Sequence, residues 1–96
     1  MALTTSLADL SVILVEPSTM QANLVTRMLN HQGVRQVHAL ENGKAALALM
    51  KSGGDGLLVI SSLYLPDMAG TDLVAAMRAD QDLENVPFIL ISSATR

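Results

Sequence analysis

Few side chains in this 96-residue sequence could do chemistry, and they stand where apolar runs end. Glu16 follows "SVILV" and precedes Pro17. Ser61 and Ser62 close the run in "LLVISSLYLPDMAG", where Asp67 comes only after Pro66. Ser92 and Ser93 end "FILI". A carboxylate in such a place can hold a hard cation, and a serine can be phosphorylated or hydrogen-bond a neighbour. A buried strand that empties into a polar loop is a common setting for a ligand. Other chemistries have less to work with. Cysteine is absent, which excludes disulfides and thiolate metal sites. His31 and His38 lie seven apart across a helix-to-strand turn, which is no metal spacing, and both read as surface residues.

The elements that must position these groups alternate. "SVILV" at 11–15 is a short β-branched run, expected as a strand buried on both faces. Ser18 is a good helix N-cap, and Met20, Leu24, Val25, Met28 and Leu29 then recur at helical spacing up to about His31, with Gly33 as the stop. "VRQVHAL" at 34–40 reads as a second strand. A turn at Asn42-Gly43 opens an Ala- and Leu-rich helix that ends at Gly53-Gly54. "GLLVIS" is a third strand, "GTDLVAAMRAD" a third helix with Leu73, Val74 and Met77 on one face, and "FILIS" at 88–92 a fourth strand. Met20, Met28, Met50 and Met77 fall on apolar helix faces and are expected to fill the core. Strands alternating with helices imply a parallel sheet with right-handed crossovers and helices on both faces. Ligands in such sheets sit at the carboxyl ends of the strands.

Composition removes several function classes. The six Lys and Arg are scattered and the net charge is −3, so nucleic-acid binding has no electrostatic footprint. No apolar run approaches a membrane span, and "MALTTSLADL" has no basic start, so the expectation is a soluble cytoplasmic protein. "VEPSTM" lacks the glycine fingerprint or P-loop that a nucleotide-binding enzyme on a doubly wound sheet requires, and no enzyme is expected.

At its strand ends the sequence resembles the receiver domain of bacterial two-component response regulators, the CheY-like family. "ILVEPSTM", "ALENGKAALALM", "LLVISSLYLPDMAG" and "VPFILISSA" carry the resemblance, in family order and spacing, over residues 11 to 94. It implies a flavodoxin-like α/β fold with strand order 2-1-3-4-5, and a phosphorelay role. In that role a kinase histidine gives a phosphoryl group to an aspartate at the end of strand 3, and Mg²⁺ is held by acids at the end of strand 1. Transferred residue by residue, the resemblance puts Ser62 at the phosphoacceptor position, Glu16 and Pro17 at the acidic pair, and Ser92 at the switch hydroxyl after strand 4. The family lysine belongs to a fifth strand, beyond Arg96. One acid is thus kept in longer form and the hydroxyl is retained.

The expectation is therefore a partial receiver over 11–96 behind a tail at 1–10, with strand order 2-1-3-4 and the fifth strand and last helices missing. A serine cannot form an acyl phosphate, and one isolated glutamate is a weak Mg²⁺ site, so no cofactor is expected. The reading is a degenerate receiver that docks a kinase, an output domain or another receiver. The alternative is a phosphorelay receiver with an unusual acceptor, Asp67 or Ser62. Strand 4 is expected as an open edge, with apolar area uncovered on "VILV", "LLVI" and "FILI"; a homodimer through that edge is one way to close it.

Overall fold

The computed structural model describes residues 6–92. Four strands form one parallel sheet in the order β2-β1-β3-β4: β1 (Ser11–Val15), β2 (Gln36–Leu40), β3 (Leu57–Ser62) and β4 (Phe88–Ile91). The helices between them are α1 (Thr19–His31), α2 (Gly43–Lys51) and α3 (Gly70–Arg78). Fold class and strand order are as expected from the sequence. Of the expected tail, residues 1–5 lie outside the described residues, and Leu7–Asp9 forms a single 3-10 turn capped by Ser6.

Local chemistry sets the boundaries. The Ser18 hydroxyl accepts the Gln21 N–H at 3.3 Å and starts α1. Asn42 does the same for α2, accepting from Ala45 at 2.8 Å, so Asn42 is a cap and Gly43 is the first helical residue. Gly33, at φ 107°, takes the left-handed conformation that ends α1, while the Val34 N–H returns to the Leu29 carbonyl at 3.0 Å. After α3, one guanidinium nitrogen of Arg78 donates to the carbonyls of Glu84 (2.8 Å) and Val86 (2.9 Å), tying the loop that leads into β4.

The sheet separates two apolar layers. On one side Ile13, Val15 and Val59 pack with Ala46 and Met50 of α2, Leu73 and Met77 of α3, and Leu83. On the other, Val12, Leu14 and Ile60 pack with Ala22, Val25 and Leu29 of α1 and with Val34. Met50 and Met77 fill the core as expected, but Met20 and Met28 do not: they are 80% and 60% exposed, and Leu24 between them is half exposed. The reason lies in helical geometry. Ala22, Val25 and Leu29 form one row on α1, while Met20, Leu24 and Met28 form a second row at i, i+4, i+8. Both rows are apolar, and only one can face the sheet. The expected uncovered area is also smaller than anticipated. Val12 to Val15, Val59 and Ile60 are buried, Leu57 and Leu58 are half-buried, and of these runs Ile89 and Leu90 of β4 are the most exposed.

Candidate functional site

The carboxyl ends of β1 and β3 build the site. The parallel register sets Val15 beside Ser61, so the next rung brings Glu16 beside Ser62 on the α1 side of the sheet. There the Ser62 hydroxyl donates to Glu16 Oε1. The Ser18 N–H donates to Oε2 at 2.9 Å, and the Glu16 N–H reaches the Leu40 carbonyl at 2.8 Å. Glu16 is only 9% exposed. Its carboxylate therefore joins three elements: the end of β1, the end of β3 and the start of α1. Glutamate is long enough to span the gap between neighbouring strands, and serine supplies the proton it meets.

Strand alternation sends Ser61 to the opposite face. It is fully buried, and its hydroxyl donates to the Ser62 carbonyl at 2.9 Å. Ser92, one residue beyond β4, is exposed and lines a cleft of about 130 Å³ with Glu16, Ser62, Leu63 and Tyr64. Pro17 is exposed and offers no ligating group. The positions assigned from the sequence as Glu16, Ser62 and Ser92 thus share one cleft, and Pro17 is not among its lining residues.

Asp67 stands elsewhere. Its loop is closed by hydrogen bonds from Leu65 to the Met68 carbonyl (3.0 Å) and from Gly70 to the Leu63 carbonyl (2.7 Å). From this loop the carboxylate reaches the start of α2, where Oδ1 accepts the Gly43 N–H at 2.9 Å and Oδ2 the Lys44 N–H at 3.0 Å. Sequence reasoning offered Asp67 only as an unusual acceptor and missed this role. The clasp joins residues 24 apart in sequence, and the only local signal is a helix start whose first N–H groups need an acceptor.

The Gly43 N–H, helped by that of Lys44, holds the Asp67 carboxyl below its ordinary 3.8, against a smaller desolvation effect. A depressed carboxyl pKa contributes stability that is present above the unfolded value and lost as pH falls through the folded one. Asp67→Asn is accordingly expected to melt below the parent at neutral pH, with the two curves converging below pH 3.8. Thermal melts across pH 2 to 7 check this, and a constant gap would refute the clasp.

Comparison with known proteins adds to this geometry. Residues 12–96 match the response regulator receiver domain family. The two-component response regulator ORR7 of Oryza sativa is 28% identical over 82 residues, covering 85% of this chain and 39% of that protein. The chemotaxis protein CheY-3 of Vibrio cholerae is 25% identical over 88 residues, covering 92% of this chain and 67% of that one. Among solved structures, the receiver domain of a signal transduction histidine kinase from Syntrophus aciditrophicus superposes with a TM-score of 0.78 at 28% identity, over 90% of this chain and 64% of that one. The chain thus spans under half of the rice regulator and about two thirds of the other two. Receiver domains are signalling modules, and this chain belongs to the response regulator receiver family of two-component systems.

Proposed function

We propose that this receiver works as a cytoplasmic docking module of two-component signalling and is not phosphorylated at the usual position. The observation that carries this reading is the Glu16–Ser62 hydrogen bond. At the acceptor position stands a hydroxyl that already donates its hydrogen bond to the neighbouring carboxylate, and a serine phosphate ester is not an acyl phosphate. The partner is a protein: a kinase, an output domain or another receiver. No catalytic role is assigned to Glu16, Ser62 or Ser92.

The donor set also fits Mg²⁺ poorly. A hard, near-octahedral cation needs oxygen ligands whose lone pairs are free to meet it. Here one carboxylate is present, both of its oxygens accept protein hydrogen bonds, and Pro17 occupies the second acidic position. Millimolar Mg²⁺ is expected to leave the melting temperature unchanged, and a rise of several degrees would contradict the reading. The decisive experiment is incubation with acetyl phosphate and Mg²⁺ followed by intact mass. No added phosphoryl mass is expected. Mass on Asp67 or Ser62 would install the alternative of an unusual acceptor; against it, both Asp67 oxygens are engaged by the α2 backbone.

A further inference from the structure

The turn between β2 and α2 carries a reactive dipeptide. In Asn42-Gly43 the glycine has no side chain to shield its nitrogen, and such a nitrogen can close a ring on the asparagine side chain. The Gly43 nitrogen gives up its proton and attacks Asn42 Cγ. The new N–C bond forms, and the side-chain nitrogen leaves as ammonia, carrying that proton. Water then opens the succinimide at one of its two carbonyls and leaves aspartate or isoaspartate at position 42.

The folded chain withholds what this step needs. Gly43 is buried, and its N–H donates to Asp67 Oδ1 at 2.9 Å. Losing that proton beside a carboxylate would set two negative charges together. Asp67 is itself a poor base for the proton, since its carboxyl is held below its ordinary 3.8. The Asn42 side chain is engaged as well, because its Oδ1 accepts the Ala45 N–H at 2.8 Å as the cap of α2. Asn42 is extended, at φ −145° and ψ 166°, whereas ring closure needs the Gly43 nitrogen eclipsed with Asn42 Cβ. Turning the peptide plane that far breaks the cap and the bond to Asp67 together. The Met68 side chain fills the space beside Gly43 Cα.

We infer that Asn42-Gly43 is a latent deamidation site that Asp67 holds shut, and that opening of this clasp, rather than unfolding of the chain, sets its rate. The two bonds from Gly43 and Lys44 to one carboxylate are charge-assisted, so the clasp is the strongest restraint on the turn. The consequence reaches the candidate site. Isoaspartate at 42 adds a methylene to the main chain ahead of Gly43 and removes the cap amide. The start of α2 then no longer presents its N–H groups to Asp67, in the loop that follows Ser62.

The test is incubation of the full chain for weeks at neutral pH, below its melting temperature, with peptide mapping by mass spectrometry. Asp55-Gly56 is an internal reference: it can form the same ring with loss of water, it is exposed, and it lies outside the clasp. The parent should deamidate at 42 at least about tenfold slower than the same chain in guanidinium chloride, and Asp67→Ala should restore roughly tenfold of rate. Asp67→Asn, which keeps one acceptor without the charge, should fall between them. Ser62→Ala leaves the clasp intact and should match the parent at 42. Isomerisation at Asp55 should be the same in all of them. If Asp67→Ala does not fold, the comparison of Asp67→Asn with Ser62→Ala decides. A parent that deamidates as fast folded as unfolded, or Asp67 variants no faster than the parent, would overturn the inference. So would an equal rise in Ser62→Ala, or a parallel rise at Asp55, since either means general loosening and not the clasp.

Discussion

Gly70→Ala is expected to lower stability by about 3 kcal/mol, or roughly 10–20 °C in Tm for a domain of this size. The cause is space, because the Gly70 backbone needs no left-handed conformation. A Cβ there would press on the Ser62 carbonyl oxygen, come within 2.6 Å of Leu90 Cδ1 and 3.3 Å of Ser61 Oγ. The first of these atoms is backbone of a central strand and cannot swing away. The Gly70 N–H also holds the Leu63 carbonyl at 2.7 Å, so a shift of α3 would open the loop that follows Ser62. Gly43→Ala supplies the contrast. The three atoms nearest its Cβ would all belong to the Met68 side chain, which can turn aside where backbone cannot, and alanine favours the helix, so a smaller loss of about 1 kcal/mol is expected. Melts of both variants check the pair. Equal, small losses would mean that β3, α3 and the loop between them are not packed as described.

These contacts show what can be read from a sequence and what cannot. The α1 bounds followed from Ser18 and Gly33, which act within a few residues of the backbone they cap. The short apolar runs announced β1 and β3 because strands buried on both faces tolerate little else, and "FILI" announced β4 although Ile89 and Leu90 are exposed. Strand order came from the resemblance; periodicity alone does not order strands. Which row of α1 faces the sheet was not legible, since Met20, Leu24 and Met28 are as apolar as the buried row. The Glu16–Ser62 contact spans 46 residues and the Asp67 clasp 24, and each depends on strand or loop placement that no local pattern encodes. Sequence reasoning named Glu16, Ser62 and Ser92, which share one cleft, without naming the hydrogen bonds that join them.

Ser62→Asp is expected to turn the site from self-satisfied to cation-dependent. The substitution removes the hydroxyl that donates to Glu16 and puts a second carboxylate against a residue only 9% exposed. Two carboxylates in one small site repel, and one of them then titrates above its ordinary range. A raised folded pKa means that stability is retained below the unfolded value and lost as pH rises. The variant should therefore be weakest at neutral pH, by about 2–4 kcal/mol, and recover toward pH 4. Ser62→Ala, which removes the donor and adds no charge, should cost only about 1 kcal/mol and show little of this pH dependence. Millimolar Mg²⁺ bridging the paired carboxylates should raise the Tm of Ser62→Asp by several degrees while leaving the parent unmoved. If Ser62→Asp melts like Ser62→Ala at neutral pH and ignores Mg²⁺, the side chains of Glu16 and residue 62 do not meet in solution. The parent's indifference to the cation would then need another cause than the hydrogen bond that occupies Glu16.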